Sequence, residues 1–206
     1  MSALSAELLG ALHPLAAPPQ PPGWNHDELA DLLGPGPRTP AAVLVGIRAG
    51  ATPTVILTRR NDHLRTHAGQ VSFPGGRVDA RDDDAVATAL RESAEEIGLD
   101  PRAAEPLGFL DCFDTISGYC VTPVVARIAA AAVLRPNPVE VAEVFEVPLA
   151  FLLDPARLHA VTMDYRGRPR RIHEFEPYAG EGHRIWGATA AMLFNLMTRM
   201  TRTTRT

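Results

Sequence analysis

Lysine is absent from this chain of 206 residues: all 20 of its basic side chains are arginine. That excludes a phosphate loop built on a Walker A lysine, and it excludes any Schiff-base mechanism. A phosphate clamp here must be made of arginine, backbone amides or metal. Cysteine is scarce as well. Cys112 and Cys120 are the whole complement, too few for a disulfide framework. Both fall in or near strand-like segments and read as buried free thiols, with a redox pair as the minor alternative. No apolar run approaches the length that spans a bilayer, and no basic stretch leads into an apolar one at the N-terminus. Neither a membrane partner nor a secretory signal is expected, and the expected location is cytoplasmic. A formal net charge of -4 makes the chain a poor bulk partner for nucleic acid. With 46% hydrophobic residues, one domain with a full core is expected.

What the chain does have is an unusual concentration of acid in Arg91-Glu92-Ser93-Ala94-Glu95-Glu96-Ile97-Gly98-Leu99. On a helix at about 100° per residue, Glu92, Glu95 and Glu96 share one face, while Val86, Leu90 and Ile97 share the opposite one. Like charges at this spacing repel by roughly 0.2–0.5 kcal/mol per pair. Either the face is simply solvated or a hard divalent cation turns repulsion into ligation. Solvated faces normally interleave basic partners, and here Arg91 is the only one in the cluster. The helix is entered through Asp82-Asp83-Asp84, which supplies an N-cap and suits the helix dipole, and Gly98 suits its C-terminal stop. Upstream lies Phe73-Pro74-Gly75-Gly76, whose paired glycines allow a backbone to bend sharply and approach a ligand closely.

Gly76 through Leu99 resembles the Nudix box, G-x5-E-x7-R-E-U-x-E-E-x-G-U with U a bulky aliphatic residue. Gly76, Arg91, Glu92, Glu95, Glu96, Gly98 and Leu99 match. The departures are an Asp for the early acid, a gap of eight residues between Asp82 and Arg91, and Ser93 at the first U. The longer gap leaves the early acid open between Asp82 and Asp83, and Ser93 is expected to weaken helix packing slightly. Leu57-Thr58-Arg59-Arg60, then Leu64-Arg65-Thr66-His67-Ala68-Gly69-Gln70-Val71-Ser72-Phe73-Pro74-Gly75-Gly76 with Asp79 beyond, is similar to the extended signature of the coenzyme A diphosphatase branch. Ser117 to Val125 and Ile185 to Ala190 also resemble that branch, and the likeness spans roughly residues 38 to 195.

The resemblance implies an α/β fold, a Nudix-type α/β/α sandwich with a mixed β-sheet, and hydrolysis of the pyrophosphate of coenzyme A or its derivatives with Mg²⁺ or Mn²⁺. It implies metal ligation by Glu92, Glu95, Glu96 and the Gly76 carbonyl. Arg91 is expected to orient the cluster through an ion pair with Asp82. The general base is open among Glu92, Glu95 and Glu140, the last in a loop before a strand, where a merely solvated acid is the competing reading. Arg59, Arg65, His67, Gly75 and Gly76 are the expected substrate contacts. Arg59 is alternatively an outward strand residue, and His67 alternatively a loop tether. Arg166, Arg168, Arg170 and Arg171 read either as a site for the 3′-phosphate or as a charged hairpin tip. The alternatives within the class are a Nudix enzyme for ADP-ribose or NADH and a non-catalytic nucleotide-binding module. A monomer or homodimer is expected.

Pattern and punctuation predict a helical, Pro-rich arm over residues 1–37, a catalytic domain over 38–200 and a frayed tail over 201–206. Helices are expected over 5–12, 27–33, 84–97 and 188–200, with a helical turn over 149–153. Strands are expected over 41–48, 54–60, 70–73, 107–113, 119–128 and 144–147, followed by a hairpin of 160–165 and 170–175 turning about 166–169.

Overall fold

A computed structural model describes residues 3–64, 66–178 and 183–203. Helix α1 (Ala3–Ala11) and the short α2 (His26–Leu29) precede a run of strands β1 (Thr39–Arg48), β2 (Thr54–Arg60), β3 (Val71–Ser72) and β4 (Gly75–Arg77). Helix α3 (Ala85–Ile97) follows, then β5 (Ala104–Phe109), β6 (Phe113–Asp114), β7 (Tyr119–Ile128) and β8 (Val141–Pro148). The chain continues through α4 (Leu149–Leu152) and the hairpin β9 (Leu158–Tyr165) and β10 (Arg168–Phe175), and α5 (Gly187–Thr203) closes it.

Strands β1 to β8 form one mixed sheet. β1 runs parallel to β7 over its whole length, and the other pairings are antiparallel. β1 and β2 pair only at Ile47–Val55 and Arg48–Thr54 and then splay apart. The wedge between them is filled by β3, which pairs with the far end of β2, and β4, which pairs with the far end of β1. The wedge is where the glycine pair sits.

Side-chain alternation gives the sheet two oily faces. Ala42, Leu44, Ile56, Val124 and Ala126 pack with Ala89 and Ile97 of α3 on one side. Val45, Val55, Leu57, Val125 and Phe145 pack with Leu193 and Leu196 of α5 and with Leu8 and Leu12 on the other. This is the expected α/β/α layering. Leu8 and Leu12 belong to the main core cluster, and Gly10 comes so close to Thr203 that a Cβ there would lie 2.8 Å from its methyl group.

Several boundaries differ from the sequence expectation for physical reasons. The expected strand 107–113 is two strands, β5 and β6. Phe109 pairs with Val124 and Phe113 with Val121, so Leu110 to Cys112 stand against only two residues of β7 and the ladder is interrupted there. The expected helix over 27–33 keeps only its first turn as α-helix. The hairpin turns on Arg166-Gly167 alone, both at positive φ, with Arg168 and Pro169 already in the strand. Thr201–Thr203, expected to fray, continue α5. Strand β8 carries one extra residue: Arg59 faces Glu143, but Arg60 faces Val141, leaving Ala142 as a bulge.

Candidate active site

Helix α3 is fixed at both ends by the devices its sequence announces. Asp84 caps it, accepting from the Ala87 N–H at 2.8 Å. Gly98 ends it at φ +62, with its own N–H on Ala94 and the Leu99 N–H on Ser93. Ser93 is fully buried, and its hydroxyl donates to the Ala89 carbonyl at 2.7 Å, so the polar group at the expected aliphatic position is satisfied within the helix.

Arg91 organises the entrance. Its guanidinium forks onto Asp82, with Nε and Nη2 each 2.9 Å from a carboxylate oxygen, and its Nη1 donates to Glu92 at 2.8 Å. The early acid is therefore Asp82, which also accepts from the Asp79 N–H and the Thr88 hydroxyl. The Arg91 fork holds the Asp82 carboxyl well below the usual carboxylate range.

The adjacent glycines serve different ends. Gly75 has φ +155, and a Cβ would lie 2.4 Å from the Ala42 carbonyl, so the wedge admits no side chain there. Its N–H donates to Glu96 at 3.1 Å. A Cβ on Gly76 would lie 2.5 Å from the Glu92 carboxylate carbon, so that carboxylate rests directly on the glycine.

Glu96 is 4% exposed. Burial pushes its carboxyl up to about 7, and the charges of Glu140 and Glu92 add to that effect while the Gly75 N–H and Arg60 oppose it. Glu140 reaches this neighbourhood because its loop is tied down. The Asn61 N–H donates to the Glu140 carbonyl, the Asn137 N–H to the Glu96 carbonyl, and the Asn61 side chain to the Pro138 carbonyl.

The structure thus brings Glu92 and Glu96 onto Gly76 and Gly75, with Glu140 near enough for its charge to act on Glu96. Glu95 stands apart: its side chain is 60% exposed and, among the described residues, meets only Arg91, at 3.5 Å. Among the described residues no three His, Cys, Asp or Glu side chains are drawn together closely enough to form a ready metal site. Their chemistry nonetheless fits a hard divalent cation, because Glu96 is a buried carboxylate destabilised by two carboxylate neighbours. Arg59 lies on the α5 face with Val55 and Leu57 and forks onto Asp62 at 3.0 and 3.1 Å. His67, at φ +57, bonds Gln70 at 2.8 Å, which is the loop-tether arrangement. Arg65 lies outside the described residues. Arg168 and Arg170 are bound by Asp31, and Arg166 lies over the Tyr165 ring. Cys112 and Cys120 are both free and buried.

Arg60 was not singled out from sequence, yet it borders the cluster, with Nη1 3.7 Å from Glu96 Oε1. Strand alternation, which puts it on the α3 face with Ile56 and Thr58, was the available signal.

Comparison with known proteins accords with this geometry. The Nudix hydrolase NudL of Photorhabdus laumondii, described as uncharacterized, is 42% identical over 156 residues, covering 76% of this chain and 82% of that one. The NudL of Escherichia coli K12, described in the same way, is 43% identical over 158 residues, covering 76% and 80%. A MutT/nudix family protein from Enterococcus faecalis superposes with a TM-score of 0.52 at 15% identity, covering 98% of this chain and 75% of that one, a likeness of fold. No helix among the described residues is long and apolar enough to cross a membrane. Residues 37–165 match the NUDIX domain, and with relatives this similar the chain belongs to the Nudix hydrolase family.

Proposed function

We propose that this Nudix hydrolase cleaves the pyrophosphate of coenzyme A, and of its thiol derivatives, to 3′,5′-ADP and 4′-phosphopantetheine. One observation carries the reading. The segment that resembles the coenzyme A branch, Leu64 to Asp79, makes three contacts with the acidic helix and one with the turn that enters it. The Gly75 N–H meets Glu96, Gly76 lies on Glu92, the Arg77 carbonyl accepts from Arg91, and the Asp79 N–H donates to Asp82. The end of the branch-like segment thus adjoins the acidic helix directly, which supports the reading.

Nudix hydrolases use divalent metals such as Mg²⁺ or Mn²⁺, and Glu92, Glu96 and the Gly76 carbonyl would hold such an ion here, with Glu95 turning inward to join them. The ion supplies charge neutralisation on phosphate oxygens and an activated water. The chain's own residues do the rest. Arg91 and Asp82 fix Glu92 against Gly76. Glu140, held by Asn61 and Asn137, is the candidate to accept the proton of the attacking water, and it needs only to be within reach of that water rather than of the ion. The thiol lies far from the reacting phosphorus, so oxidised coenzyme A and acyl thioesters are expected substrates too.

Incubation of the protein with coenzyme A and Mg²⁺ or Mn²⁺, with products identified by mass, tests the proposal. The two named products support it. Turnover of ADP-ribose or NADH with coenzyme A left intact would assign the chain to another substrate class.

A further inference from the structure

We propose that Arg60 is a substrate-binding residue that takes a non-bridging oxygen of the pyrophosphate. The inference rests on the reading that Glu92 and Glu96 serve pyrophosphate hydrolysis, and it adds the anion contact which that reading lacks. Arg91, the basic residue of the acidic helix, is consumed by Asp82 and Glu92, and Arg59 by Asp62. Arg60 is different. Its guanidinium makes no hydrogen bond among the described residues, and its Nε is buried without a partner. Its nearest anion, Glu96 Oε1, is 3.7 Å from Nη1, too far for a hydrogen bond.

An arginine left in that state is costly, since a buried donor without a partner forfeits its hydration. It is also well placed. It projects on the α3 face at the end of β2, beside the wedge that holds Gly75, and its side chain is 26% exposed. A guanidinium presents a planar fork matched to phosphate oxygens. With Glu96 engaged by a cation, the attraction that holds Arg60 there weakens, and the fork is free for the diphosphate. The ligand class is a nucleoside diphosphate or a larger ester of pyrophosphate.

The test uses Arg60→Ala and Arg60→Lys beside the wild type. Calorimetric titration with α,β-methylene-ADP in saturating Mg²⁺ reads the anion site without turnover. Titration with Mn²⁺ alone reads the metal site, and thermal melting reads the fold. We expect Arg60→Ala to bind α,β-methylene-ADP roughly ten- to a hundredfold more weakly, and to raise KM more than it lowers kcat. Arg60→Lys should leave melting and Mn²⁺ affinity unchanged and recover only part of the diphosphate affinity, because an ammonium lacks the fork. Undiminished α,β-methylene-ADP binding in a folded Arg60→Ala overturns the proposal, as does complete recovery of that affinity by Lys. If Arg60→Ala does not fold, the Lys variant decides alone. Failure of the wild type to bind the analogue at all also overturns it. Intact coenzyme A together with analogue binding that depends on Arg60 would sink the substrate assignment and leave Arg60 standing. Cleavage of coenzyme A with Arg60 irrelevant to binding would do the reverse.

Discussion

The molecule holds two polar clusters of similar make-up on opposite faces of its sheet. On the α5 face, Asp111 accepts from Arg199 and lies against His13, each at 2.7 Å, and accepts from Asn195 at 2.8 Å, while Arg199 also donates to the Ala11 carbonyl. Every strong group there has a partner. On the α3 face the acids are crowded, Glu96 is buried with a raised pKa, and the Nε of Arg60 has none. The first cluster fastens the N-terminal segment to α5. The second holds a buried donor without a partner and a carboxyl that burial pushes toward its neutral form. Composition does not separate a fastening from a site; completeness of pairing does.

The comparison breaks most decisively at Glu96. Glu96→Gln should lower turnover by orders of magnitude at saturating metal, since metal-assisted charge stabilisation is worth several kcal/mol and each ~1.4 kcal/mol is tenfold in rate. Near-normal rates would make the α3 cluster a second fastening. Glu140→Gln should cost about a hundredfold or more in kcat with Mn²⁺ affinity unchanged, as befits a base outside the ligand set. A loss of metal affinity in its place would make Glu140 a ligand.

In chelator-treated protein the sign of a pH effect follows from Glu96. Its folded carboxyl titrates near 7, against an ordinary value of 4.5. The folded state therefore keeps a proton that the unfolded state gives up in that interval, and this contribution to stability falls as pH rises through it, by up to about 3 kcal/mol. Denaturant unfolding from about pH 5 to 8 should show wild type losing ground steadily to Glu96→Gln, a trend expected from the Glu96 linkage. A constant difference would contradict the burial argument.

Asp111→Ala should reverse the pattern of Glu96→Gln, costing about 1–3 kcal/mol of stability with kcat/KM per folded molecule unchanged. Melting and kinetics on one preparation check it. The smallest effect separates the two glycines. Gly76→Ala should leave melting nearly intact, because the displaced atoms are the end of the flexible Glu92 side chain, yet lower turnover about tenfold, a loss of ~1.4 kcal/mol. Gly75→Ala strikes the backbone of Ala42 and should lose folded protein first.

Much of the α3 face was legible in the sequence because its determinants are local. The cap at Asp84, the stop at Gly98 and the ion pair of Arg91 with Asp82 all depend on residues within one short segment. The same holds for β2 and β7, found with the bounds 54–60 and 119–128. What escaped depends on distant chain. The break between β5 and β6 falls at Leu110 to Cys112, where the Cys112 carbonyl accepts from the N–H of Trp24, a residue far upstream. Helical angles placed Glu95 beside Glu96, but packing buries one and leaves the other in water. Arg59 and Arg60 look alike in sequence, and only the sheet decides that the first faces α5 and the second the acids.

The bulge at Ala142 has a consequence for packing. Strand parity is binary, so one supernumerary residue works as a phase shifter: everything N-terminal to it in β8 looks out of the opposite side of the sheet. Val141 owes its place in the α3-side core to that shift. A chain without Ala142 would keep every acidic residue and still turn Val141 away from that core.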